Sequence, residues 1–402
     1  MIGARLFRAR GFSIVELMVA MVVGLISMVI IFQVFEVSEG IKRTTTSGGD
    51  AQQNGVLALF NIEHDLRNAG MGFNDTTFSE CRGAGSTILG YDSARATADF
   101  ATIANPMLLV PVLITPGATS TQPDRVKILY GSQSQVVNAS TLQANMASAT
   151  SDVLELNNFG VRAGDLIVLL EPGSGKNCTL MEVTQSVLAQ PVQHNNTGYQ
   201  LTWYSGTPNV NSRFNKAGGA GVAYGGANTA NATRIYNLGN LYDLPWTPAA
   251  PRASNTLPVY NTYYISSNSL RVTAGFLLDA NGLPLDNAIA DNIVHLRALY
   301  GMNDGTFTNA TPAAANWGNV VSVRIAVVAR SARTETTRDA SGNIINCATT
   351  VAGSPSLNWT GGAFDVSATA PNSDPTRDYW NCYRYRVFET TVPLRNWIWK
   401  SS

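Results

Sequence analysis

Residues Phe12–Phe35 read FSIVELMVAMVVGLISMVIIFQVF. At about 1.5 Å per residue, a helix of this run crosses a bilayer core of about 30 Å. Arg5, Arg8 and Arg10 precede it, and residues 1–11 hold no acid. One carboxylate, Glu16, sits inside the run near its start. A charge in hydrocarbon is costly unless paired, which marks Glu16 as a functional residue.

Three readings of this segment compete. A secretory signal has an apolar core of about 7–15 residues and a small-x-small cleavage site. Here the core is longer, an acid interrupts it, and Val34-Phe35-Glu36-Val37 offers no such site. A plain signal anchor fits the topology: the basic flank stays in the cytoplasm and the rest is exported. It leaves Glu16 unexplained. The third reading explains it. Gly11, Phe12 and Glu16, followed by the apolar run, resemble the class III signal of type IV prepilins and pseudopilins. The resemblance implies a leader Met1–Gly11, cut between Gly11 and Phe12 by a membrane-embedded prepilin peptidase. It implies N-methylation of Phe12, and pairing of Glu16 with the terminal amine of a neighbouring subunit to set axial register.

Beyond Phe35 the helical pattern resumes. Val56, Leu59, Ile62 and Leu66 recur at helical spacing, with Phe60 and Ala69 alongside. Asn61, Glu63, His64, Asp65 and Arg67 read as the solvated face of this amphipathic helix. Gly70 and Gly72 read as its end. Ser47-Gly48-Gly49 and Asn54-Gly55 predict a bend or a short non-helical break. The segment Glu63-His64-Asp65-Leu66-Arg67-Asn68-Ala69-Gly70 resembles the close of the first helix in PilW-type minor pilins, and the type II secretion pseudopilin GspJ carries a similar one.

The remainder reads as strands and loops. Met107–Ile114, Arg125–Tyr130, Val153–Asn157, Asp165–Glu171, Thr179–Thr184, Arg234–Leu238, Val259–Ser266 and Leu270–Leu278 are strand candidates. So are Asp291–Tyr300, Val320–Ala329 and Tyr383–Leu394. Ser267-Asn268 reads as a hairpin turn. Residues 205–256 are Gly- and Asn-rich and read as long loops. The aromatics in and around them (Tyr199, Trp203, Tyr204, Tyr236, Tyr242, Trp246) read as core filling. The strands over 320–329 and 383–394, with Arg330-Ser331 and Arg395-Asn396 at their ends, resemble the C-terminal part of PilW-type proteins.

Composition narrows the function classes. Net charge is zero, which removes the electrostatic case for nucleic-acid binding. Charged residues are 13%, against about 25% in typical soluble proteins, a weakly charged surface that suits export. Four cysteines, Cys81, Cys178, Cys347 and Cys382, follow the membrane run and form no C-x-x-C pair. An oxidising compartment favours two disulfides, and four cysteines allow three connectivities. Cys347–Cys382 ties a loop-rich insert near the C-terminus, which leaves Cys81–Cys178. Four free thiols are the alternative.

No catalytic pattern stands out. His64, His194 and His295 are far apart and form no metal-ligand pair. A Walker A phosphate loop needs Gly where Leu170 stands and Ser or Thr where Asn177 stands, so residues 171–177 read as a turn. Asn303-Asp304-Gly305 offers one carboxylate, too few for a tight calcium site. Neither a metal nor a cofactor is expected, and no enzyme.

The expected fold is α+β and pilin-like. Residues 12–35 form the transmembrane half of a long helix and residues 36–70 its amphipathic half. Residues 71–402 form an enlarged, β-rich extracytoplasmic domain on an antiparallel sheet. The resemblance implies a minor pilin in type IV pilus assembly that primes the filament or joins its tip complex. It would reside in the inner membrane, with its domain in the periplasm, and then in the pilus. The implied partners are other minor pilins, the major pilin, prepilin peptidase, the inner-membrane assembly platform and a tip adhesin. A J-type secretion pseudopilin and a pilus-tip adhesin are the alternatives.

Overall fold

The computed structural model describes residues 13–73, 81, 88–90, 107–132, 139–148, 152–155, 165–183, 185–187, 199–202, 214, 221–241, 257–278, 284–334, 336–338, 344–347, 356–369 and 380–398. The first element is helix α1, Ile14–Asn68, of 55 residues. Ser13 caps its N-terminus, accepting from Val15 N at 3.3 Å, and Glu16 stands in the first turn, where the helix dipole favours an acid.

The strands follow in chain order. The first seven are β1 (Ile88–Gly90), β2 (Val112–Thr115), β3 (Arg125–Tyr130), β4 (Ser140–Thr141), β5 (Asp152–Glu155), β6 (Asp165–Leu170) and β7 (Cys178–Glu182). Then come β8 (Gln185–Val187), β9 (Tyr199–Thr202), β10 (Arg234–Asn240), β11 (Val259–Ser266), β12 (Ser269–Leu278), β13 (Pro284–Asp291) and β14 (Ile293–Met302). The last seven are β15 (Phe307–Thr308), β16 (Val320–Arg330), β17 (Thr336–Arg338), β18 (Ile344–Cys347), β19 (Ser356–Trp359), β20 (Gly362–Asp365) and β21 (Tyr385–Pro393), before the short helix α2 (Arg395–Ile398).

Three sheets carry the domain, in the orders β15-β14-β16-β21, β13-β12-β11-β3-β2 and β1-β7-β6-β10-β4. Helix α1 packs on β21, β16, β13, β14 and β3. Strand β16 shows how alternation builds two cores. Val323, Ile325, Val327 and Ala329 enter the main core with Ala58, Ile62 and Leu66 of α1. Ala326 and Val328 point the other way, into a smaller core with Phe364 and Val366 beside the β19–β20 hairpin. Burying each of Ile62 and Leu66 contributes about 1.5–3 kcal/mol. The third sheet divides likewise: Ile167, Leu169, Met181 and Ile235 form a separate cluster with Tyr224.

Several expectations need correction. No break occurs at Ser47-Gly48-Gly49 or Asn54-Gly55, because α1 is helical throughout. A helical glycine costs only about 1 kcal/mol relative to alanine, too little to interrupt a long cooperative helix. Gly55 has another reason to be there: a Cβ at that position would overlap the Phe388 ring of β21. Nothing lies within 4 Å of a Cβ at Gly48 or Gly49. Gly55→Ala is therefore expected to cost about 1–3 kcal/mol by overpacking. Gly48→Ala and Gly49→Ala should each stabilise by about 0.5–1 kcal/mol. Thermal unfolding of the detergent-solubilised chain separates these signs.

The buried face of α1 is also displaced from the expected one. Ala51, Ala58, Ile62, Leu66 and Ala69 are buried, whereas Val56, Leu57 and Phe60 are exposed. At 100° per residue Phe60 stands opposite the Ala58–Ile62 seam, so its apolarity does not place it inside. The helix ends at Asn68, and Gly70 and Gly72 follow with φ of +83° and +88°. The expected strand over 107–114 shrinks to Val112–Thr115. Strand β13 was not expected, and Asp291 closes it rather than opening the next. Asn292 makes that corner with φ of +58°. The turn at Ser267-Asn268 has φ of 50° and 58°, as a tight two-residue hairpin requires.

Candidate assembly site

Among the described residues one helix is long and apolar enough to cross a membrane, Ile14–Glu39, and none of its apolar window is buried in the domain. Its 26 residues span about 39 Å. From Ile14 to Phe35 the large apolar side chains are all more than half exposed, and Glu16 is the single charge among them. This half of α1 stands clear of the fold, with its apolar surface open to lipid or to another chain.

The other half is fixed to the domain by a polar pin that the sequence reading placed on the solvated face. Asp65 is buried at 6% exposure. It accepts from Tyr263 Oη at 2.6 Å, Asn261 Nδ2 at 2.8 Å and Tyr130 Oη at 2.9 Å. Tyr130 lies on β3, and Asn261 and Tyr263 lie on the adjacent strand β11, where Asn261 pairs with Ile128 and Tyr263 with Val126. Three donors from two neighbouring strands thus meet one carboxylate from the helix. Burial, and then the Asp65 charge, pushes both tyrosine hydroxyls well above their ordinary range. Both hydroxyls hold their protons more tightly in the fold than in the unfolded chain. Their contribution is complete below about pH 10 and is lost above it.

Asp65 was findable: it stands three residues after Ile62 and four before Ala69, on the buried stripe. His64 is solvated, as the sequence implies, with its side chain 64% exposed. Its Nδ1 comes within 3.4 Å of Asp65 Oδ1. Asp65 is already committed to its three buried donors, so this contact is peripheral.

The C-terminal end completes the clamp. Asn396 Nδ2 donates to the carbonyls of Arg67 (3.3 Å) and Asn68 (3.2 Å) at the end of α1, the second of which also accepts from Met71 N. Trp397 is fully buried, donates from Nε1 to Trp317 O at 2.9 Å and packs edge-on against Phe73. Gly70 N donates to Leu129 O at 3.0 Å. Arg330 lies over the Tyr383 ring and donates to Thr369 O, and Ser331 Oγ accepts from Arg384 N at 3.1 Å. Arg330 and Ser331 therefore tie β16 to the segment entering the last strand, and Asn396 ties the chain after that strand to the helix end.

Cys81 and Cys178 form a disulfide with Cα atoms 6.0 Å apart, joining Cys81, ahead of β1 in the chain, to the first residue of β7. Cys382 is disulfide-bonded as well, while the side chain of Cys347 lies outside the described residues. Gly11, Phe12 and His194 also lie outside them. Of the aromatics expected in the core, Tyr236 is buried, and the side chains of the other five lie outside the described residues. Residues 171–177 form the turn between β6 and β7. Asp304 accepts from Thr306 N and Oγ1 at 2.9 and 2.7 Å, bonds that hold its carboxyl below the usual range.

His295 is fully buried on β14 against Phe364, its Nε2 3.1 Å from Ser120 O. Burial, and then the Arg297 charge, lowers its pKa to about 4. The neutral ring belongs to the fold, so its contribution is complete above about pH 6.5 and is lost as pH falls through about 4. We expect acid unfolding to lose on the order of 3 kcal/mol over that window from this residue. In His295→Gln the slope of stability against pH there should flatten, as measured by urea titration.

A long, exposed apolar helix clamped at its far half to an antiparallel-sheet domain defines the class of this chain: a pilin-like protein. The family models at its two ends narrow that class. One described as the prokaryotic N-terminal methylation motif matches residues 6–32, and one described as type IV pilus-assembly protein W, PilW, matches residues 262–396. Together these two matches support a type IV pilus minor pilin of the PilW family. No curated protein and no solved structure matches it. The helix and the motif fit a single-pass inner-membrane pilin, and a pilin of this kind works among other pilins and their assembly machinery. Pilin domains are structural parts of the pilus rather than enzymes.

Proposed function

We propose that this minor pilin helps to prime the type IV pilus filament or forms part of its tip complex, acting by assembly and not by chemistry. The observation that carries the reading is the division of α1. The apolar window within Ile14–Glu39 is unburied, while residues 51–69 are locked to the domain by Asp65, Asn396 and the Ala58–Ile62–Leu66 seam. Such a rigid stalk presents the free half in one orientation. The outward Val56, Leu57 and Phe60 form a second, separate exposed apolar patch farther along α1.

In this reading residues 1–11 are the leader, prepilin peptidase cuts between Gly11 and Phe12, and the Phe12 amine is methylated. The new cation and the Glu16 carboxylate of a neighbouring subunit then neutralise each other inside the membrane. Residues 12–35 cross it, and the domain faces the periplasm until the subunit joins the pilus. Sibling minor pilins and the major pilin are the partners, the inner-membrane platform is the site of assembly, and a tip adhesin is a further neighbour.

Capture of the full-length chain from solubilised inner membranes tests this. Sibling minor pilins should co-elute. Type II secretion components in their place would overturn the pilus reading in favour of a J-type pseudopilin.

A further inference from the structure

The turn Glu171–Asn177 is one wall of an open groove of about 620 Å³, with the rest of its lining supplied by residues around Asn145, Tyr224, Thr229 and Asn231. The last three belong to the Gly- and Asn-rich stretch over 205–256. Strands β6 and β7, which hold this turn, lie in a different sheet from the strands on which α1 packs. The volume is in the range of ordinary ligand sites, about 300–1,000 Å³.

The chemistry of the wall decides what class of ligand fits. Lys176 Nζ donates to both oxygens of Glu171, at 2.9 and 2.8 Å, and Glu171 Oε2 also accepts from Gly225 N at 2.7 Å. The two charges cancel within the wall. A phosphate approaching Lys176 would meet the Glu171 carboxylate at nearly the same distance, so the lysine is not an anion site. Ser174 Oγ donates to Glu171 O and accepts from Lys176 N, and Thr229 Oγ1 donates to Gly226 O. The Ser174 hydroxyl and the Lys176 ammonium are thereby engaged within the turn itself. Two carboxamides face this neutral surface. Asn145, whose Oδ1 accepts from Gly226 N at 2.8 Å, is part of the groove lining. Asn231 is exposed at the rim, beside Gly173. A carboxamide offers donor and acceptor in one plane, the complement of neighbouring hydroxyls on a sugar ring.

We propose that this groove binds a neutral, hydroxyl-rich carbohydrate chain. The proposal rests on the groove alone and stands whether or not the chain primes a filament.

The test uses full-length protein in detergent on an array of immobilised neutral and acidic oligosaccharides, with inorganic phosphate as a separate probe. At least one neutral oligosaccharide should bind, more tightly than acidic ones or phosphate. Asn231→Leu and Asn145→Leu should each weaken that binding about tenfold, the net worth of one or two lost hydrogen bonds. Asn145 also holds Gly226, so the exposed Asn231 is the variant expected to leave thermal unfolding unchanged. The proposal is overturned if no neutral oligosaccharide binds, if acidic probes or phosphate bind more tightly, or if Asn231→Leu and Asn145→Leu bind as well as the wild type.

Discussion

Asp65→Ala is expected to lower the stability of the domain by about 3–5 kcal/mol, the largest effect of any single change on the folded chain. Asp65 is a carboxylate at 6% exposure whose three donors are neutral, so the fold compensates its desolvation with hydrogen bonds. Alanine removes the acceptor and leaves Tyr130, Tyr263 and Asn261 with donors turned toward a buried space. Each stranded donor costs about 1–3 kcal/mol, and local rearrangement recovers part of the sum. Asp65→Asn keeps one acceptor oxygen but turns an amide donor toward a hydroxyl, and should lose about half as much. Tyr263→Phe should cost about 1–2 kcal/mol. Urea denaturation of the solubilised chain measures all three. A change within about 0.5 kcal/mol for Asp65→Ala, the range of an ordinary surface substitution, would remove the pin from the account.

Glu16→Leu is the second. Asp65 fixes the stalk to its domain, and Glu16 is proposed to fix the stalk to its neighbours. Leucine removes the one charge of the apolar run, so insertion should be unimpaired or improved. The amine of an adjacent subunit, however, then has no partner in a medium of low dielectric. Breaking such a pair from one side costs about 3–5 kcal/mol, or more than a hundredfold in association. Membrane fractionation should find Glu16→Leu at wild-type level in the inner membrane, and sheared pilus fractions should contain little or none. Equal incorporation of Glu16→Leu and wild type would dismiss the register role and leave the helix as an anchor alone.

The parts of the fold legible in the sequence are those where one pattern governs. Strands β3, β11, β12, β16 and β21 alternate or run apolar over six residues or more, and each lies within a residue or two of its expected place. Strand β13, Pro284-Leu285-Asp286-Asn287-Ala288-Ile289-Ala290-Asp291, has almost no β-branched residues. It is held from outside by pairing with β12, which local propensity does not report. The errors on α1 share one cause. Val56 and Phe60 were given to the core because they are apolar, and Asp65 to solvent because it is charged. Helical phase, set by the Ala51–Ala58–Ile62–Ala69 stripe, outweighs both assignments. Gly55 shows the same limit: its role is to admit Phe388, which lies more than three hundred residues away in the chain.

The residues proposed for cleavage, methylation and register rest on a different kind of signal. Gly11, Phe12 and Glu16 ahead of an apolar run form a local pattern that needs no fold to be read. The clamp that holds the helix needs Tyr130, Asn261 and Asn396 brought together by the fold. Only the residue types at its ends, Asp65-Leu66-Arg67 and Arg395-Asn396, hint at it in one dimension.

The central claim is that α1 is the processed helix of a pilin and not a permanent signal anchor. Mass spectrometry of the N-terminal peptide of the protein purified from membranes tests it most directly. The expected result is a chain that begins at Phe12 with one added methyl group on its amine. A chain that begins at Met1, with residues 1–11 intact, would contradict it.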